Sequence, residues 1–194
     1  MDDSQLRAML IELEHWEGRE SRLYLDSRGN ATIGVGCLVP GPSYLSCLPM
    51  RVAPSGRLAT DAEARAEFCR VTSMPPNLGA RAYRAKPPEP ELYLTEEGID
   101  GLAFRRLHTM LAGVRKLCPG FDGFPAPAQS CLLDLAWSLG IGKLGSEFPK
   151  LLVACNSDPP DWRTAALESH VSSSRDARNE WRAQMMFEAA ARGG

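Results

Sequence analysis

The clearest pattern in the chain is a helical stripe. At about 100° per residue, Leu6, Leu10 and Leu13 recur on one face of residues 4–17, with Met9 beside them. Ser4 is the expected N-cap and Gly18 the expected stop. The period then changes. Residues 22–38 read as a hairpin, RLYL and ATIGVGCL joined by DSRGN. Residues 39–57, rich in Pro, Gly and Ser, read as a surface loop. Thr60 and Glu63 have the spacing of a capping box for a helix near 61–72. A second Pro-rich stretch, MPPNLGARAYRAKPPEPE, separates this helix from one capped by Thr95 and running to about Leu117. AQSCLLDLAWSLG is nearly all apolar, so it is the expected central buried helix. FPKLLVAC, PDWRTAALESH and RDARNEWRAQMMFEAAAR follow, each amphipathic. A small hairpin beside a helical body predicts an α+β fold. The expected organisation is a single domain over residues 1–194, with about 18–60 as a hairpin lobe and 1–17 plus 61–194 as the helical body.

Composition narrows the picture. The 194 residues are 44% hydrophobic and 24% charged, which suits a packed core rather than disorder. A net charge of −2 offers no basic excess for nucleic acid. No apolar run approaches the ~20 residues needed to span a bilayer, so no stable membrane insertion is expected. The first residues are acidic and amphipathic, without the basic start and apolar centre of a secretory signal. The expectation is a chain made in the cytoplasm and carried outward by other means. Six cysteines (Cys37, Cys47, Cys69, Cys118, Cys131 and Cys155) contain no C-x-x-C pair. Buried free thiols, or one or two disulfides formed after export, both remain open.

Candidate chemistry begins at Glu17. It falls within the Leu6–Leu10–Leu13 stripe and in the last helical turn, where the negative end of the helix dipole opposes another negative charge. Both placements favour a protonated carboxyl, the form a glycosidase needs to protonate a leaving oxygen. Taken alone, such a residue is more often a frayed helix end turned to water. Asp26 at the hairpin turn and Thr32 in the following strand are ordinary singly. Gly34 and Gly36 are less so, because alternate glycines in a strand mark close approach by another backbone or a ligand. Read as one strand, Thr32, Gly34 and Gly36 share a bare face that suits a cleft floor or, alternatively, a tightly packed sheet.

The segment EGRESRLYLDSRGNATIGVGCL resembles the signature of the phage-type lysozymes. The matching elements are Glu17-Gly18, Tyr24-x-Asp26, Gly29 and Thr32-Ile33-Gly34-x-Gly36. That family has a Glu–Asp–Thr triad with eight and then five intervening residues, and Glu17, Asp26 and Thr32 keep both spacings. Two departures stand out. Cys37 occupies a position that is usually His, and Ser138 one that is commonly Asn or Gln. A weaker likeness covers most of the chain except residues 39–57 and 74–94.

The resemblance implies a lysozyme-like fold and cleavage of the β-1,4 bond between N-acetylmuramic acid and N-acetylglucosamine in peptidoglycan glycan strands. Glu17 would be the acid. Asp26 and Thr32 would hold the attacking water in an inverting arrangement, with carboxylates about 6.5–9.5 Å apart. Gly34, Trp137, Ser138 and Arg178 are the expected substrate-binding set, Arg178 chiefly by orienting Glu17, with Arg175 as its alternative. Trp137 also reads as core, lying in an almost wholly apolar helix. His15, His108 and His170 are scattered singly and no metal or cofactor is required. The implied settings are a phage endolysin or a secreted antibacterial effector, the latter with a cognate immunity or inhibitor protein as partner. A catalytically inactive wall-binding module is the alternative, and a transglycosylase a further one.

Overall fold

The chain forms its first helix, α1 (Asp3–Glu17), from a cap two residues earlier than the sequence suggests. Asp2, not Ser4, starts it. The Gln5 amide donates to Asp2 Oδ1 at 2.9 Å and the Asp2 amide donates to Gln5 Oε1 at 2.8 Å, a reciprocal capping box with Asp and Gln in place of Thr and Glu. The stripe is real: Leu6, Met9, Leu10 and Leu13 are all buried, whereas Ile11, off the stripe, is 69% exposed. These features come from a computed structural model that describes residues 1–192.

Three strands follow, β1 (Glu20–Leu25), β2 (Ala31–Gly34) and β3 (Cys37–Leu38), in an antiparallel sheet of order β1-β2-β3. The single strand expected over 31–38 is therefore broken. Gly34 and Gly36 have φ of +67° and +62°, which L side chains rarely adopt, so the glycines turn the chain rather than lining one face of it. Ile33 then pairs with Cys37 and Thr32 with Leu38.

The supposed loop over 39–57 also holds structure. A short helix α2 (Pro42–Ser46) leads to β4 (Arg51–Val52) and β5 (Arg57–Leu58). Next comes α3 (Asp61–Thr72), whose predicted capping box is present on Thr60 and Glu63. A 3-10 turn over Ala80–Tyr83 precedes β6 (Leu92–Tyr93), which pairs with β4 to complete a second three-stranded antiparallel sheet.

The helices after this are α4 (Glu96–Leu117), α5 (Ala126–Leu139), α6 (Ile141–Glu147), α7 (Pro149–Cys155), α8 (Trp162–Glu168) and α9 (Asp176–Arg192). The α+β expectation is met. None of these helices is long and apolar enough to cross a membrane.

The chain divides into two compact units. One comprises Met1–Met9 and Arg106–Gly194, the other Leu10–Arg105. In the first, α5 is the buried centre, with Leu132, Leu133, Leu135 and Ala136 fully enclosed and α9 packed on it. The second holds both sheets, α2, α3 and the ends of α1 and α4.

Candidate active site

Glu17, Asp26, Thr32 and Gly34 all belong to the unit formed by Leu10–Arg105. Glu17 ends α1 and is half-buried. It lies against the β2–β3 turn: a Cβ placed at Gly36 would be 3.1 Å from Glu17 Oε2 and 3.4 Å from Glu17 Cβ. The glycine at 36 is thus required twice, by its backbone angle and by the carboxyl beside it. Gly34 is different. It is buried, and a Cβ there would meet Ile99 at 3.5 Å and Leu102 at 3.7 Å. Close packing under α4, not a bare cleft floor, accounts for this residue.

Asp26 is half-buried at the head of the turn. Its Oδ1 accepts from the amides of Arg28 at 2.9 Å and Asn30 at 2.8 Å, and its Oδ2 accepts from Asn30 Nδ2 at 3.0 Å. A carboxylate offers about four acceptor positions, so the turn leaves about one for another donor. Thr32 is only 3% exposed, and its hydroxyl donates to the Asn30 carbonyl at 3.0 Å. With its one proton committed, Oγ1 is left as an acceptor. Asn30 therefore connects both residues, through its amide and side chain to Asp26 and through its carbonyl to Thr32. Sequence reasoning passed over Asn30 as a turn residue, and only its place between Asp26 and Thr32 could have drawn notice.

Tyr24, part of the signature but given no role there, is a second residue to add. It pairs directly with Thr32 across β1 and β2. Burial lifts its phenol pKa, and the charges of Glu17, Asp26 and Glu20 lift it further, to about 12. One hydroxyl thus senses both candidate carboxylates. Cys37, where the family resemblance leads one to expect His, is buried with its thiol directed at the Val35 carbonyl, 3.8 Å away.

The remaining expected residues belong to the other unit. Trp137 is 2% exposed, and the Arg106 guanidinium lies 4.4 Å from its ring centroid. A ring covered in this way has no free face for a sugar, so stacking by Trp137 is corrected to a core and cation–π role. Ser138 is exposed, and its hydroxyl accepts from Arg182 Nη2 at 2.9 Å. Arg178 is buried and donates to Asp134 from Nε at 3.1 Å and from Nη2 at 2.7 Å. Arg182, fully buried, donates to the other oxygen of Asp134 at 2.5 Å. Asp134 was hidden in the most apolar helix of the sequence. The signal that could have exposed it is the pair of arginines four residues apart, Arg178 and Arg182, on the facing amphipathic helix.

Among the described residues no group of three or more His, Cys, Asp and Glu side chains is placed to hold a metal ion. Compared with known proteins, the chain matches no family model and no curated sequence.

Proposed function

We propose that this protein is a peptidoglycan hydrolase, a muramidase cleaving the β-1,4 bond between N-acetylmuramic acid and N-acetylglucosamine with inversion. The observation that carries the reading is local geometry: Glu17 lies against the Gly36 turn, and Asn30 ties Asp26 to Thr32 on the strand that enters that turn. The resemblance of residues 17–38 to the phage-type lysozymes supplies the reaction.

In this reading Glu17 gives a proton to the glycosidic oxygen. Asp26 and Thr32 act on the water. Each has acceptor capacity left and no donor to spare, so a water bound to both would point its two hydrogens at them. Its lone pair would then be free to attack the anomeric carbon from the far side, with Asp26 taking one of the water's protons as the glycosidic bond breaks onto the oxygen that Glu17 protonates. The protein's biological setting would be lysis of a host or of a competitor's wall, the second with an immunity protein as partner.

One observation favours a second reading. Asp26 already accepts three hydrogen bonds from its own turn, as a purely structural residue would. A non-catalytic wall-binding module fits that. Incubation with purified cell wall, followed by turbidity and by co-sedimentation, separates the two. Clearing supports the hydrolase, and binding without clearing supports the module.

A further inference from the structure

The chain leaves α1 through Glu17 and Gly18 and enters β1 at Glu20, with Arg19 between. Arg19 is three-quarters covered, and all three nitrogens of its guanidinium donate hydrogen bonds. Nε donates to Glu96 Oε2 at 2.7 Å, Nη2 donates to Asp100 Oδ1 at 2.7 Å and to the Glu96 carbonyl at 3.1 Å, and Nη1 donates to Glu14. Glu14 is one turn before Glu17, and its carbonyl accepts from the Gly18 amide at 2.9 Å, closing the helix. Glu96 and Asp100 lie one turn apart at the start of α4.

Surface ion pairs of this kind stabilise little one by one. Glu96 and Asp100 are 73% and 55% exposed, so stability is a poor explanation for gathering three carboxylates on one arginine. A planar fork with fixed donors does something else well: it sets orientation. Here it locks the last turn of α1 to α4 at the residue that follows the Glu17–Gly18 step. Burial works against the Arg19 charge, but the bonds to Asp100 and Glu96 outweigh it and hold its pKa above the usual arginine range.

We propose that Arg19 is a positioning residue for Glu17, holding the end of α1 so that the carboxyl meets the Val35–Gly36 turn. This rests on Glu17 being the acid. Its test includes a readout that does not.

The experiment compares the intact protein with Arg19→Met and Arg19→Lys. Three quantities are measured: kcat and KM on soluble wall fragments, the alkaline ultraviolet titration of Tyr24, and the melting temperature. In Arg19→Met the expected result is a kcat lowered about tenfold or more with KM within about twofold, since small misplacement of a reacting group is costly. The Tyr24 midpoint falls as well, because Glu17 no longer holds its charge nearby. Arg19→Lys, a charge without the fork, lies between. A lower melting temperature with unchanged kcat and Tyr24 midpoint overturns the proposal and makes Arg19 a plain structural clamp. If Arg19→Met does not fold, Glu96→Gln with Asp100→Asn cuts the α4 side alone and is read by the same criteria. Should the wild type lack wall activity, the Tyr24 midpoint still decides the positioning claim, while the enzyme reading fails separately.

Discussion

Glu17 and Gly36 occupy one another's space: the carboxyl oxygen of the first lies 3.1 Å from where a side chain on the second would begin. Gly36→Ala should therefore move Glu17 and strain the turn, since φ is +62°. Gly56 gives the control. It has φ of +70° but nothing within 4 Å of an added Cβ. Both variants should lose about 1–2 kcal/mol of stability from the left-handed backbone. Only Gly36→Ala should also lose wall-clearing activity beyond that stability effect. Equal activity in the two variants would show that the Glu17 contact is unimportant.

Tyr24 gives a pH test. Its phenol is held up by burial, then by Glu17 and Asp26, so it should ionise near 12 instead of near the ordinary tyrosine value of about 10. The folded state then keeps a proton that the unfolded state has lost. Stability from this group is complete below about pH 10 and is lost as pH rises towards 12. Ultraviolet titration at the phenolate band measures it, with Tyr24→Phe identifying the transition. Glu17→Gln and Asp26→Asn should each lower the midpoint. A midpoint unmoved by both would mean that the carboxylates are not gathered at Tyr24.

Asp134 is fully buried and neutralises only one of the two arginines that hold it, Arg178 and Arg182. Removing it leaves Arg182, also fully buried, with Ser138, Ser174 and Asn179 as its remaining hydrogen-bond partners. Asp134→Ala should cost about 3–5 kcal/mol, measured by urea unfolding. A loss under about 1 kcal/mol would mean that the cluster relaxes or admits water.

The thiol question left open by sequence is answered by burial. No disulfide links the six cysteines; Cys47 and Cys69 are exposed, and the other four are buried. An aromatic disulfide reagent should react quickly with two thiols in the native protein and with all six after denaturation. Cys47→Ser with Cys69→Ser should abolish the fast phase. A fast phase larger than two thiols would contradict the packing around Cys37, Cys118, Cys131 or Cys155.

Much of the fold was legible because it rests on local signals. The α1 stripe, the Thr60–Glu63 box and the apolar run of α5 each announce an element without help from distant residues. The failures have a common cause. Gly34 and Gly36 alternate as a bare strand face would, yet positive φ makes them a turn, and alternation alone does not distinguish the two. The strands over 51–52, 57–58 and 92–93 are two residues each. Such segments are too short for any period; β4 pairs with β5 across a short turn and with β6 from 40 residues away. In the candidate site, Glu17, Asp26 and Thr32 stand out only through the resemblance to a family signature whose spacings they keep. Asn30 and Tyr24 are given no role by it, because their importance lies in who their neighbours are. Trp137 was legible as core from its helix, and Arg106 over its ring was not.

The proposed hydrolysis depends on Glu17 as its acid. Release of reducing ends from purified peptidoglycan, by wild type and by Glu17→Gln at matched folding, tests it most directly. Free reducing ends are expected from the wild type and none above background from the variant, with unchanged melting. Undiminished release by Glu17→Gln would contradict it.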